Sequence, residues 1–418
     1  MHRPRHHSSS TRTKGLRLVA VAAALTFGIA LTVRAGEPPA AVDPVFEVLQ
    51  VDGRTSSGRI TAIAPDRVAV TSADGQAHEI PLTALVKLSR ENTRGRAAEG
   101  ADVALPDGDR LMNVIVGPAT DAAVEVHSYA LGKMSVPLDS VLGLILTPPM
   151  DAEALDRLWE RVRTQPRTSE VVWLGNGDRI AGTLLGVDDR LVKLQVQGKP
   201  MEIDRAGITA VGFDPALVSY PRPTTSYFEA TLVDGTRLGL VDVKLDKGNV
   251  SAVTRFGRAL RFPLADVVRL VPRTSAVDYL SERPVNGHSY VPYLGPVRPF
   301  RIDATVEGRP FQLGGRTYDR GLGAQSRTLI AYKLKPGDRR FQALVGVDDR
   351  AGPLGSVAFR VMVDGQSRFT TPPMTARDAP RPIDVDVTGA KLLILITEFG
   401  DRGDVRDFAD WVEARVVR

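Results

Sequence analysis

The chain has 418 residues, 43% of them apolar and 25% charged, ordinary proportions for a globular protein with two to four cores. It contains no cysteine, which excludes disulfides, zinc–thiolate sites, iron–sulfur clusters and thiol catalysis. The formal charge of +5 belongs to the first 35 residues, where six cations precede the first acid, Glu37; the remaining body carries −1, without the basic face that a nucleic-acid partner needs.

Those first residues have the parts of a secretory signal. A basic stretch ends at Arg17, an apolar run LVAVAAALTFGIALTV covers 18–33, and Val33 and Ala35 supply small residues at −3 and −1. Sixteen apolar residues fall short of the ~20 that a spanning helix requires. Residues 1–35 are therefore expected to be cleaved. The protein is expected to be exported, to a periplasm, a cell surface or the medium, and to meet a membrane only through this segment.

Four divergent copies of one unit follow, at 46–90, 101–149, 169–215 and 226–272. Each opens with a strand and a turn dipeptide: Asp52-Gly53, Asp107-Gly108, Asn176-Gly177 and Asp234-Gly235. Such dipeptides suit type I′ hairpins, in which both central residues take positive φ. From turn to the point where the last apolar strand begins, at Pro81, Pro137, Asp204 and Pro263, the distance is 29, 30, 28 and 29 residues. A spacing held that closely marks a repeat. Apolar residues recur with period two in Val68-Ala69-Val70-Thr71 and Leu191–Val196, so the units are strands throughout. Five short strands in ~45 residues resemble a small, strongly bent barrel of the Sm-like kind. The repeats read either as a binding surface or as a spacer or oligomerisation element. They share no exposed aromatic or acidic set, which favours the second.

Two connectors interrupt the series. Residues 150–168, MDAEALDRLWERVRTQPRT, place Leu155, Leu158, Trp159 and Val162 at helical spacing with Pro166 beyond, the pattern of a short amphipathic helix packed on the barrels. Residues 89–101 are rich in Arg and Glu and read as a solvated linker.

From about Thr274 the strands lengthen. RTLIAYKL, RFQALVGV, SVAFRVMVDG, PIDVDV, AKLLILIT and ADWVEARV follow one another with polar turns between. Leu392–Ile396 is apolar on both faces and belongs at the centre of a two-layer sheet. The fold class is all-β: tandem small barrels, then a β-sandwich or jelly roll over 274–418.

GRTYDRGLGAQSRTLIAYKL, FQALVGVDDRAGPLGSVAFRVMVDG, VDVTGAKLLILITEFGD and FADWVEARV resemble, in order and over roughly 290–418, the NPCBM family of carbohydrate-binding modules. The resemblance implies a galactose-binding-like jelly roll, a glycan ligand such as a galactoside, and a structural calcium. The family pattern commonly has a histidine in the segment matched by Gly323-Ala324-Gln325-Ser326. Here Gln325 stands in that segment, keeping a donor and an acceptor but losing the titratable ring.

Asp348 and Asp349 look like a catalytic pair, yet adjacent strand residues point to opposite faces, and glycosidase carboxylates face each other across ~5–9.5 Å. Loop structure is their first reading, and calcium or ligand contact the second. Asp401, Asp404, Asp407 and Asp410 recur every third residue with Arg402 and Arg406 between, unlike an EF-hand, and read as a solvated loop with internal ion pairs. Trp411 begins an alternating strand and reads as core, whereas Phe399, just after a strand, is placed to stack on a sugar. Beyond the leader only His78, His127 and His288 remain, too scattered for a hydrolytic relay.

The sequence thus describes a non-catalytic exported protein. Gln325, Arg327, Asp349, Phe399 and Asp407 are its candidate sugar contacts, and Asp348 and Asp349 its candidate calcium ligands. The alternative is a cell-envelope structural or interaction protein whose jelly roll binds no sugar. A glycoside hydrolase would need two carboxylates across a groove, and no motif supplies them.

Overall fold

The computed structural model describes residues 44–91, 100–120, 122–293, 298–401 and 403–418. The leader expected at 1–35 and most of the linker expected at 89–101 lie outside these residues. The described residues are strands joined by short turns, with one α-helix, Ala152–Thr164. None of their helices is long and apolar enough to cross a membrane.

The first unit is a meander of Val45–Gln50, Thr55–Ile63, Arg67–Ser72, Ala77–Pro81 and Leu85–Ser89, in which the first strand pairs with both the second and the fifth. A 3-10 turn, Leu82–Ala84, swings the chain from the fourth strand into the fifth. The other units repeat this plan. In every copy the long second strand shifts register partway, between Ile60 and Ala62, Val116 and Ala119, Leu184 and Gly186, and Val241 and Lys244. Such bulges bend a strand sharply, which lets so short a sheet curl on itself.

The turns differ from expectation in three copies. Gly53, Gly177 and Gly235 have φ of 83°, 92° and 90°, but the residue before each does not take positive φ. Their N–H groups donate to the carbonyls of Gln50, Leu174 and Leu232. This is a type I turn closed by a left-handed glycine. Only the second copy, with Asp107 at 58° and Gly108 at 81°, has both central residues at positive φ.

The units pair in a nested order. The second joins the third through Gly143–Ile145 and Ile208–Gly212, and the first joins the fourth through Leu85–Ser89 and Val267–Arg273. In the inner pair the backbones meet again at Val187 and Ala119, and Arg205 donates to the Val116 carbonyl at 2.7 Å. The small residues Ala119 and Gly186 lie at that approach. At the register positions of Ala119 and Val187 the outer pair carries Ile63 and Leu245. There a groove of about 820 Å³ remains, bordered by Pro65, Leu82, Tyr227 and Lys244.

The C-terminal part is a two-sheet sandwich. One sheet runs Arg301–Ile302, Gly321–Ala324, Ala409–Val417, Arg340–Val347, Arg381–Asp386, with Val277–Tyr279 also paired to Ala409–Val417. The other runs Gly287–Tyr290, Thr328–Lys333, Leu392–Phe399, Val357–Val363, Gln366–Thr370, so the strand that is apolar on both faces is its middle one. Trp411, Tyr332, Phe341 and Phe359 fill the space between them, and the Trp411 indole donates to the Thr397 hydroxyl at 3.1 Å.

The outer face of the first sheet lies against the repeats, and charge holds it there. Glu229 of the fourth unit receives Arg320 of the sandwich at 2.5 Å, together with its own neighbours Arg237 at 3.3 Å and Arg273 at 3.5 Å. Asp319 of the sandwich meets Arg110 at 3.3 Å, Arg237 at 3.9 Å and Arg269. Although burial opposes it, the guanidinium groups of Arg110, Arg269 and Arg237 hold the Asp319 carboxyl far below the usual range. Lys87 reaches Glu413 at 2.9 Å, and the Tyr279 ring lies between Arg273 and Arg320, each 5.0 Å from its centroid.

The helix serves both sides. Asp151 caps it through the Ala154 N–H at 2.7 Å. Leu158 and Val162 pack on Ile145, Trp173 and Ala210 of the inner pair. On its other face Glu153, Asp156 and Glu160 meet Arg309 at 2.8 Å, Arg350 at 3.8 Å and Arg301 of the sandwich.

Candidate functional site

Four of the candidate sugar contacts converge on one end of the sandwich. Gln325 follows the strand Gly321–Ala324 and is 7% exposed. Its amide donates to the Asp404 carbonyl at 2.9 Å, while its side-chain oxygen is buried without a partner. Ser326 donates its hydroxyl to Asp407, which also accepts the Ser356 N–H at 2.9 Å. Asp407 is fully buried and joins three loops at once. Burial, aided by the charge of Asp404, pushes its carboxyl up to about 6 against the two hydrogen bonds it accepts.

Phe399 ends the strand Leu392–Phe399 and meets Tyr293 edge to face, with 5.7 Å between ring centroids. Tyr293 is 62% exposed, and its N–H donates to the Asp404 carboxylate at 3.2 Å. Three residues earlier the Tyr290 hydroxyl is buried without a partner. Burial first, then the charges of Asp404 and Asp407, raise its pKa. Arg327 stands beside this group on the outer face of the second sheet, 4.0 Å from Glu398. Glu398 is in turn 3.7 Å from Arg360.

Asp349 lies elsewhere. Its two carboxylate oxygens accept the N–H groups of Gly314 at 2.9 Å and Gly315 at 2.7 Å, fastening the hairpin Phe311–Leu313/Arg316–Tyr318. Asp348 is buried and accepts the Gln312 N–H at 3.0 Å and both the N–H and Nε of its neighbour Arg350, at 3.0 and 2.9 Å. The pair is therefore loop structure in which each carboxylate is already filled by donors.

Calcium requires six to eight oxygen ligands. At Asp348 and Asp349 the space a cation would take is held by a guanidinium and backbone N–H groups, so these residues do not fit the ion expected there. Among the described residues no group of three or more His, Asp or Glu is gathered to hold a metal.

The acidic loop also corrects the sequence reading. Asp407 and Asp410 are fully buried, and neither is part of a solvated ion-pair network. Neither carboxyl oxygen of Asp410 has a hydrogen-bond partner, and burial followed by the charge of Asp348 raises its pKa well above the ordinary value. Among the described residues of that loop, Arg406 turns away and donates to the Arg350 carbonyl at 2.6 Å.

Sequence reasoning missed Tyr290, Tyr293, Glu398 and Arg360. The two tyrosines sit in the lead-in at 274–300, whose SYVPY stretch has aromatic rings around a proline but no periodicity to place them.

The model of the NPCBM/NEW2 domain matches residues 277–417, the segment that contributes every side chain of this loop end. Residues 277–417 are an NPCBM domain. Curated relatives match here too. A Renibacterium salmoninarum protein provisionally named an endo-alpha-N-acetylgalactosaminidase is 34% identical over 126 residues, 29% of this chain and 8% of its own length. Alpha-1,3-galactosidase B of Akkermansia muciniphila is 28% identical over 117 residues, 27% of this chain and 15% of its own. The chain thus spans under a sixth of either relative. Among solved structures, a family 51 carbohydrate-binding module of Clostridium perfringens, in complex with methyl-galactose, is 25% identical with a TM-score of 0.31, covering 34% of this chain and 99% of that one.

Within the NPCBM domain, then, the sheet face carrying Asp319, Arg320 and Glu413 is committed to the repeats. The loop end carrying Gln325, Tyr290, Tyr293 and Phe399 exposes the Tyr293 ring, and its buried Gln325 Oε1 and Tyr290 hydroxyl lack partners.

Proposed function

We propose that the chain is an exported, non-catalytic carbohydrate-binding protein whose NPCBM loop end takes a glycan, with a galactoside as the first ligand to try. The observation that carries this reading is the pair of buried, unpartnered polar atoms, Gln325 Oε1 and the Tyr290 hydroxyl, beside the exposed Tyr293 and its partner Phe399. Buried polar atoms are nearly always hydrogen-bonded, and sugar hydroxyls both donate and accept while the sugar ring covers an aromatic face. The name of the Akkermansia relative makes alpha-1,3-galactosides the natural starting point. Asp407 is enclosed and engaged by Ser326 and Ser356, so it serves to shape the loops rather than to attack a glycosidic bond.

The test is a glycan array probed with the whole chain and with Tyr293→Ala and Phe399→Ala. Binding that falls about tenfold in both variants, with folding intact, supports the reading. Uniform absence of binding by a folded chain favours the second one, a cell-envelope structural protein whose NPCBM domain is a docking piece. The ion-paired seating of a whole sheet face on the repeats supports that alternative. Export is tested by N-terminal sequencing of protein recovered outside the cytoplasm, with a new terminus near residue 36 expected.

A further inference from the structure

Arg327, Glu398 and Arg360 form a cluster that the reading above leaves unused. Their neighbours Thr328, Thr397 and Phe359 are buried in the sandwich, so alternation puts the three charged side chains together on the outer face of the second sheet. Arg327 follows Ser326 directly, and Glu398 precedes Phe399. The Arg327 carbonyl accepts the Val291 N–H at 3.2 Å, two residues before Tyr293. The cluster therefore borders the loop end.

Its pairing is incomplete. One carboxylate stands between two guanidinium groups, at 4.0 Å from Arg327 Nε and 3.7 Å from Arg360 Nη2, both beyond hydrogen-bond length. Arg360 Nε is buried and has no acceptor at all. By contrast, Arg350 bonds Asp348 through Nε at 2.9 Å and through Nη2 at 3.1 Å. Two partly exposed guanidinium groups that each stand beyond hydrogen-bond length from their one shared carboxylate suit capture of a second carboxylate or sulfate. The acid of the neighbouring loop, Asp404, has a carboxylate oxygen turned to the Tyr293 N–H. On the sheet face two cations thus stand against one acid, Glu398.

We infer that the glycan bound at the loop end is anionic: its sugar ring lies at Tyr293 and Phe399, and a carboxylate or sulfate on it, or on the next residue, docks on the exposed sides of Arg327 and Arg360, beside Glu398. The inference rests on the glycan reading and narrows it to an acidic ligand. Glu398 then orients the two guanidinium groups without saturating them.

The experiment uses the whole chain and three matched galactosides: a neutral parent, the same glycan carrying a sialic or uronic acid, and the same glycan carrying a sulfate. Affinities are measured at about 50 and 500 mM NaCl for wild type, Arg327→Ala, Arg360→Ala and Phe399→Ala. The expected result is at least about tenfold tighter binding of one or both anionic ligands, with the stronger arm naming carboxylate or sulfate. That preference, taken within each variant as the ratio of anionic to neutral affinity, shrinks at high salt and disappears in Arg327→Ala, whose exposed side chain can be removed without unfolding. Phe399→Ala weakens neutral and anionic ligands alike. Equal affinity for neutral and charged glycans, or a preference that survives Arg327→Ala and Arg360→Ala, overturns the anionic assignment and leaves the glycan reading standing. Failure of every ligand, neutral parent included, removes both.

Discussion

The two working surfaces of the NPCBM domain treat charge and hydrogen bonding in opposite ways. Against the repeats, Asp319 and Glu229 each meet three arginines, and Lys87 and Glu413 are joined at 2.9 Å. At the loop end Gln325 Oε1, the Tyr290 hydroxyl and Arg360 Nε have no partner, and Asp407 is buried with only neutral donors on its carboxylate. The first surface matches its charges across the contact, and the second leaves polar groups unmatched.

The sharpest way to break this contrast is Asp319→Ala. It strands Arg110, Arg237 and Arg269 without their shared carboxylate, and losing one member of a buried ion network costs about 3–5 kcal/mol. Denaturant titration of the whole chain measures it. A loss under about 1 kcal/mol would mean the apolar patch of Val86, Val277 and Tyr279 seats the domain instead.

Asp407 supplies the counterpart at the loop end, through pH. Its folded pKa is raised, to about 6 from an ordinary 3.8, so the folded state binds the proton more tightly than the unfolded chain. Its contribution to stability is complete below about pH 4 and is lost as pH rises through 6. Comparing wild type with Asp407→Asn from pH 4 to 7 isolates this group. Wild type should lose stability relative to the variant over that interval, and the opposite slope would place a compensating cation at the site.

Smaller effects test the rest. Glu153→Gln removes an exposed ion pair to Arg309 and should leave the denaturant midpoint almost unchanged, since such pairs are screened. A chelator should leave the melting temperature unchanged, because Asp348 and Asp349 are filled by N–H donors. A clear fall in Tm would reveal a cation held by other oxygens.

Much of the architecture was legible because it is local. The even distance from turn to closing strand marked four units, and Leu392–Ile396, apolar on both faces, pointed to the middle of a sheet. Phe399, expected just after a strand, is instead the last residue of the strand Leu392–Phe399. Asp407 was misread because its burial is made by Ser326 and Ser356, 81 and 51 residues earlier in the chain, and no local pattern records them. Glu153, Asp156 and Glu160 form a visible stripe, yet the arginines they serve begin 141 residues further on. Which units would pair was equally hidden, since the edge strands that meet, such as Leu85–Ser89 and Val267–Arg273, lie far apart in the chain.

The nested pairing of the units also sets an order of assembly. The second and third meet across contacts such as Thr147 to Ile208, 61 residues apart, and can close while synthesis continues. The first must wait for Val267, 177 residues beyond Arg90, before the open side of its edge strand has a neighbour. Until then Leu85–Ser89 is an open template for any other strand. Closing so long a loop is slow, and newly made chains are most vulnerable to wrong partners during that interval.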